Sequence, residues 1–384
     1  MKSTDLSPVD IPDAQLIRRF LGLIAEGFEN PEGIEAVCQL IIVNGTRQYP
    51  IVLRISRDGV HVSEGLHPQP QTRVVTELKT IAWLVQENHR LDYRAPELTR
   101  QFRVEGSAEL LFMLVVALLR PIPELAQQYQ AVTEQVRPAY RATAVERIAQ
   151  PTAECIEAAL SLSQPLIATG LDLPTPYQHW GLDRLAQRYG ELPLIERGAQ
   201  FRETLEQFVE RVKQHDTATD RMLRGHHPAY TMGCVLPEAM RADFIPHFFG
   251  PEAYRQPQLW LGAVAPHVAA TKLHRDPRPA LLYQVIGRKK FTLYSPDQAA
   301  ALYVMRAYNN HQRCWVRPEA PDYQRYPAFA QARPIEVCVH PGELLVLPVG
   351  WFHAVYCLDS PTMSVTYFLR NSHLPGDLAM QAAA

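Results

Sequence analysis

The period of hydrophobic and polar positions changes several times along the chain, and each change marks an element. Ile51-Val-Leu-Arg-Ile-Ser-Arg-Asp-Gly-Val-His-Val62 alternates on both sides of Asp58-Gly59, which predicts two strands joined by a tight hairpin. Arg73 to Val85 begins with strand-like alternation and passes into helical spacing, and Leu98 to Gly106 is another short strand. Ser107 then stands at the N-cap position of a helix over Ala108 to Leu119, which Pro121 and Pro123 end. After Glu109 that helix is apolar nearly all round, so it is expected to be buried or to cover a cavity. Helical spacing returns over residues 151 to 163, at Leu185 to Gly190 and at Phe201 to Val212. From Gln258 onward short apolar strands separated by turns dominate.

This pattern predicts an α+β protein in three parts. Residues 1–120 read as an open-sheet α+β unit, 121–160 as a polar, proline-bearing helical linker, and 161–384 as a strand-rich domain with flanking helices. Composition narrows the function. A formal net charge of −2 offers no general attraction to nucleic acid or to membranes. The longest apolar run, Leu110 to Leu119, is too short to span a bilayer. The first residues are polar and do not resemble a secretory signal, and six cysteines without Cys-x-x-Cys spacing suit free thiols. A cytoplasmic setting is therefore expected.

Two segments carry the chemistry. Thr271-Lys-Leu-His-Arg-Asp276 reads as extended, so His274 and Asp276 project to one face. Pro341-Gly-Glu-Leu-Leu-Val-Leu-Pro-Val-Gly-Trp-Phe-His353 is an apolar strand launched by a Pro-Gly turn, and it delivers His353 just past its end. Each motif alone has a bland reading: a surface ion pair for the first, a partly buried core histidine for the second. If the two strands lie close in one barrel, they present two imidazoles and one carboxylate together. That is the ligand set of a non-haem Fe(II) site with positions left open for a cosubstrate and O₂.

Leu273 to Pro296 resembles the first half of a JmjC-type cupin, Pro341 to His353 the second half, and Met363-Ser-Val-Thr-Tyr-Phe368 the strand that follows. The resemblance is to cupin-like hydroxylases related to the asparaginyl hydroxylase that inhibits hypoxia-inducible factor, and it runs from about residue 160 to 371. It implies a double-stranded β-helix and an Fe(II)- and 2-oxoglutarate-dependent oxygenase, with His274, Asp276 and His353 as metal ligands. Lys289 falls where the family holds the distal carboxylate of 2-oxoglutarate, and a dianionic cosubstrate needs a buried cation in any case. A one-residue slip would present Lys290 instead. Thr271 and Tyr230 match positions that serve the same carboxylate. Ala280 and Thr366 depart from the pattern, since the hypoxia-factor hydroxylase has asparagines there.

Between the two metal-bearing halves, Tyr303 to Gln331 interleaves aromatic residues with arginines. Such an insertion suits a substrate lid, with Tyr308, Trp315 and Arg313 as candidate contacts to a peptide or a stacked nucleotide, or else an ordered loop anchored by its rings. The order of elements in residues 12–120 is similar to a sterol-carrier-protein-like domain, which implies an apolar tunnel for a ligand or a docking partner; an ordinary core is the plainer alternative. The expected activity is hydroxylation of an amino-acid side chain in a peptide or protein, with 2-oxoglutarate decarboxylated to succinate. A tRNA base or a free amino acid is the alternative substrate, and a non-catalytic lipid- or peptide-binding protein the alternative class.

Overall fold

Alternation of buried and exposed side chains organises the strands into two separate compact units. In a computed structural model, residues 12–91, 98, 100–136, 143–195, 202–220, 228–231 and 233–370 are described. The polar N-terminal stretch read above lies outside them. One unit comprises Met1–Ile122 with Met305–Asn310, and the other comprises Pro123–Val304 with His311–Ala384.

In the first unit, helix α1 (Asp13–Gly27) precedes strands β1 (Ala36–Asn44), β2 (Arg47–Ser56), β3 (Gly59–Glu64) and β4 (Thr72–Glu77). Helix α2 (Leu78–Gln86), strand β5 (Arg103–Gly106) and helix α3 (Ala108–Ala117) follow. The sheet order is β3-β2-β1-β4-β5, with β1 and β4 parallel and the other neighbours antiparallel. The Asp58-Gly59 hairpin forms as expected, with Ser56 opposite Gly59. Two details differ from expectation. The strand over 98–106 shortens to Arg103–Gly106, because Gln101 N–H closes a turn on the Leu98 carbonyl at 3.0 Å. Ser107 precedes α3 but its side chain makes no capping bond; instead its backbone N–H and carbonyl both pair with the Thr72 hydroxyl.

The apolar residues of α1, α2 and α3 bury against one face of this sheet. Full burial of each Leu or Ile contributes about 1.5–3 kcal/mol, so the layer stabilises itself without a ligand. The cavity among Phe20, Ile24, Cys38, Leu53, Leu114 and their neighbours measures about 20 Å³. That is room for one water molecule and not for a lipid chain. Among these residues the structure shows no wider opening of the kind the sterol-carrier pattern implies.

The second unit contains helices α4 (Pro123–Val136), α5 (Ala153–Ser161), α6 (Leu182–Tyr189), α7 (Leu205–Gln214) and α8 (Arg241–Phe244). The first strands are β6 (Glu146–Ala149), β7 (Leu166–Thr169), the hairpin β8 (Pro193–Ile195) and β9 (Arg202–Thr204), and β10 (Cys234–Val235). The barrel strands are β11 (Gln258–Gly262), β12 (Ala269–Arg275), β13 (Ala280–Ile286), β14 (Lys289–Tyr294), β15 (Gln312–Arg313) and β16 (Ile335–Val339). They are completed by β17 (Leu344–Leu347), β18 (Phe352–Cys357) and β19 (Thr362–Phe368). Strand β6, inside the segment read as a helical linker, pairs parallel with β7 at the edge of a seven-stranded sheet ordered β10-β11-β19-β13-β17-β7-β6. A five-stranded sheet, β15-β12-β18-β14-β16, faces it. Ile167, Ala280, Leu345 and Leu347 from one sheet meet Phe291, Leu293, Ile335, Val337 and Val355 from the other in a common core. This is the double-stranded β-helix that the resemblance implies.

Helix α7 starts later than the 201 of the helical pattern. Thr204 forms a capping box with Gln207, so the preceding residues stay extended in β9. Together with α6, α7 packs Leu185, Phe208, Val209 and Val212 against the outer face of the seven-stranded sheet.

Candidate metal centre

Strand pairing brings the sequence-distant histidines together. β12 runs antiparallel to β18, and His274 stands opposite His353. Cross-strand partners share a face, and the two rings lie 4.2 Å apart between centroids. β12 ends at Arg275, and Asp276 follows on the same side as His274. Its Oδ2 lies 3.6 Å from Nε2 of each histidine. The Asp276 carbonyl accepts from Gly350 N–H at 3.1 Å, which ties the carboxylate's backbone to the turn before β18. Gly350 has φ +77°, and a Cβ there would sit 2.7 Å from Val132 of α4, so glycine is needed at this approach.

The ring orientations are fixed from behind. His274 Nδ1 lies 2.8 Å from the Lys272 carbonyl and His353 Nδ1 3.2 Å from the Trp351 carbonyl. A carbonyl only accepts, so each Nδ1 carries a proton, and Nε2 is the ring nitrogen that faces Asp276 and can bind a metal once it is unprotonated. Trp351 is itself fully buried, with its indole N–H donating to Ser163.

The charges are tightly coupled. Burial disfavours the Asp276 carboxylate, but His274 and then His353 outweigh it and hold its pKa well below the usual range. Burial likewise opposes charge on His274, and Asp276 reverses this to raise its pKa. For His353, burial and then the neighbouring His274 push the pKa down to about 4. Three donor atoms of these residues lie within 4.8 Å of one another, an arrangement able to hold one metal ion. Two imidazoles and one carboxylate on a single side leave the opposite positions free for other ligands.

Lys289 faces inward and is 1% exposed, whereas Lys290 turns outward to Glu336. Its Nζ donates to Tyr230 Oη at 3.0 Å and to Ser364 Oγ at 2.6 Å. Burial lowers its pKa to about 8. Among the described residues this ammonium has no carboxylate partner. A buried cation with only neutral acceptors costs several kcal/mol, a cost that a bound anion would offset. The distal carboxylate of 2-oxoglutarate fits that requirement. Leu293 pairs with His353 and Lys289 with Cys357, so ammonium-bearing residue and metal-side histidine are four residues apart, about 13 Å along the strand.

Tyr230 is placed by an unusually close backbone approach. Gly262 of β11 has φ +146°, and a Cβ on it would lie 2.0 Å from the Ala229 carbonyl and 2.6 Å from Tyr230 Cα. Thr271 sits opposite Val355, and β12 bulges between Thr271 and His274. The extra residue brings Thr271 onto the inner face with His274 despite their odd spacing.

The proposed substrate contacts separate. Arg313 on β15 stands opposite His274. Trp315 packs into a cluster with Leu302, Val316 and Phe329, so it anchors the insertion. Tyr308 lies in the Met305–Asn310 segment that clusters with the first unit. Three neighbours of the site escaped the motif reading. Ser364 holds Lys289; Cys357 lies beside Tyr230 and Lys289, with burial raising its pKa to about 11. His311 sets its ring edge-on to His274 at 5.6 Å. Ser364 could have been found by alternation in Met363 to Phe368, which puts Ser364, Thr366 and Phe368 on one face. Thr366 Oγ1 is buried without a partner among the described residues, so the position that departs from the asparagine pattern leaves a polar atom in the barrel wall.

The cupin-like domain family matches residues 151–373, more than half of the chain. Lysine-specific demethylase 8 of Danio rerio is 29% identical over 217 residues, covering 52% of each chain. The tRNA wybutosine-synthesizing protein 5 of Danio rerio is 33% identical over 142 residues, covering 37% of this chain and 40% of that one. Lysine-specific demethylase 8 of Xenopus tropicalis is 34% identical over 127 residues, covering 33% and 25%. The chain thus spans between a quarter and about half of the length of these relatives. A solved sterol carrier protein 2-like 2 from Aedes aegypti is 18% identical with a TM-score of 0.22, covering 27% of this chain and 92% of that one. This likeness is too slight to argue from. The JmjC-type cupin resemblance is borne out, and the chain belongs to the cupin-like domain family.

Proposed function

We propose that this chain is an Fe(II)- and 2-oxoglutarate-dependent hydroxylase acting on an amino-acid side chain in a peptide or protein. The observation that carries the reading is the combination of two imidazoles and a carboxylate on one side of the barrel with a buried lysine, without a carboxylate partner among the described residues, further along the same sheet. His274, Asp276 and His353 would hold the iron. Lys289, helped by Tyr230 and Ser364, would hold the distal carboxylate of 2-oxoglutarate, and Thr271 shares their inner face. When bound, the iron and its cosubstrate supply the oxidation: O₂ is consumed, 2-oxoglutarate goes to succinate and CO₂, and one oxygen enters a substrate C–H bond.

The protein's own contribution is position and exclusion of water. The Nδ1–H···O=C bonds of both histidines fix which nitrogen coordinates, so no reorganisation is needed on loading. Asp276 stays ionised without a metal and needs no proton removed. Phe291, Leu293, Leu345 and Val355 line an apolar interior that keeps water from the reacting centre. A reducing, cytoplasmic setting suits six free cysteines and ferrous iron. Among the described residues no helix is long and apolar enough to cross a membrane.

The relative named for tRNA wybutosine synthesis supports a tRNA base as the second reading; the net charge of −2 weighs against it. The test is succinate formation from 2-oxoglutarate in the presence of cell-extract peptides or RNA, with Asp276→Ala as the control. Stimulation by peptides that vanishes in the variant supports the reading. Undiminished turnover in the variant overturns it.

A further inference from the structure

The reading above leaves the substrate's chemistry open, and the rim beside Asp276 narrows it. Arg278 follows Asp276 by two residues and is half-buried. Among the described residues it makes no hydrogen bond and no ion pair, unlike Arg275 next to the site, which binds Gln312 and stacks on Tyr129. The rim is knitted by backbone bonds: Leu369 N–H to the Pro279 carbonyl, Arg255 N–H to Phe368, Arg370 N–H to Ala253 and Gly350 N–H to Asp276. These bonds gather Arg255, Arg278 and Arg370 at the end of the barrel where Asp276 lies. On β15, Arg313 adds a further cation opposite His274.

Arg255, a like charge, and Asp276, a carboxylate, are the charged side chains that act on Arg278 most strongly. In the proposed enzyme Asp276 is engaged by the metal, so its charge is no longer available to balance Arg278. Arg278 then keeps no carboxylate of its own among the described residues. Such a group is costly unless a ligand brings a counter-charge, and the planar fork of arginine matches a carboxylate with two parallel bonds.

We propose that Arg278 is a specificity-determining residue that anchors an acidic side chain of a peptide substrate beside the residue to be hydroxylated. One fork suits one carboxylate. A nucleic acid would call for a broad positive field, which a chain of net charge −2 lacks.

This inference rests on the hydroxylase reading, and a binding experiment makes the two fail separately. The full chain is loaded with Mn(II) in place of iron, followed by electron paramagnetic resonance, and with 2-oxoglutarate. Fluorescein-labelled, capped heptapeptide pools carry Asp, Glu, Asn, Gln or Lys at a fixed central position with the rest randomised, and binding is read by anisotropy. An acidic pool binds about tenfold tighter than its amide counterpart, equivalent to about 1.4 kcal/mol. The preference falls below about twofold in Arg278→Gln and is partly kept in Arg278→Lys, as expected for a charge-assisted contact. Equal binding of acid and amide pools, a preference that survives Arg278→Gln, or tighter binding of a 20-nucleotide RNA would overturn it. If Mn(II) binds while the acid preference is missing, only this inference falls. A wild-type chain that takes up no Mn(II) removes the hydroxylase reading as well.

Discussion

His274 and His353 face each other across one antiparallel pairing and share Asp276 Oδ2 at 3.6 Å from each Nε2. Replacing either histidine by alanine removes one of the three donors that the set has among the described residues. The expected result is a loss of Co(II) or Mn(II) affinity of about 100-fold or more, beyond the effect of disturbing an outer contact. Isothermal titration calorimetry measures it, and unchanged affinity in His353→Ala contradicts the assignment.

The same three groups set how metal uptake depends on pH. His353, with its pKa at about 4, is already neutral at pH 6, and Asp276 is ionised. His274, raised by Asp276 against the effect of burial, still holds a proton there. Metal binding at pH 6 should therefore release one proton, and affinity should fall about tenfold per pH unit below the His274 pKa. For the metal-free fold, the raised His274 contributes stability that is present below its unfolded value of 6.5 and lost as pH rises through its folded value. The depressed His353 contributes the reverse, lost as pH falls from 6.5 towards 4. Calorimetry in buffers of different ionisation enthalpy counts the protons; release of two at pH 6 contradicts this ordering.

In the proposed enzyme, Lys289 is a residue kept for binding at the expense of stability. Lys289→Met removes a buried charge and should raise the melting temperature of the metal-free chain while weakening 2-oxoglutarate binding by about 1.5–3 kcal/mol or more. In the wild type, affinity for 2-oxoglutarate should decline as pH rises above about 8, where the free-site ammonium deprotonates. The variant should lose that alkaline limb. Thermal melts and Kd at pH 7 and 9 check both, and a destabilised variant with intact binding would contradict the role.

Gly262 is where the fold spends its backbone freedom to place Tyr230. Gly262→Ala puts a Cβ 2.0 Å from the Ala229 carbonyl at φ +146°. It should cost about 2 kcal/mol or more of stability. Tyr230→Phe, which removes only the hydroxyl that Lys289 donates to, should leave folding nearly intact and weaken 2-oxoglutarate binding. Urea melts and ligand titration on both variants separate positioning from contact.

Much of this centre was legible from short-range pattern. His274 and Asp276 could be put on one face because strand alternation is local, and the Pro-Gly turn and apolar run signalled the approach to His353. What decided the rest was register between strands far apart in sequence. Lys289 and Lys290 look alike until β14 is paired with β18. Alternation gives Ser364 its face, but Cys357 and His311 enter the site only through neighbouring segments. Thr271 reached the inner face through a bulge that alternation cannot show. Trp315 and Tyr308 read as candidate substrate contacts on composition alone; in the structure Trp315 joins an apolar cluster and Tyr308 lies in a segment that clusters with the first unit. Strand β6 was missed because four residues at a sheet edge, only one of them a large aliphatic, carry almost no pattern.

The most direct measurement is the visible absorption spectrum of the chain mixed anaerobically with Fe(II) and 2-oxoglutarate. Iron held by His274, Asp276 and His353, with the diacid reaching Lys289, gives a weak charge-transfer band that saturates at one equivalent of each and is absent in Asp276→Ala. No band in the wild-type chain, or the same band in the variant, contradicts the account.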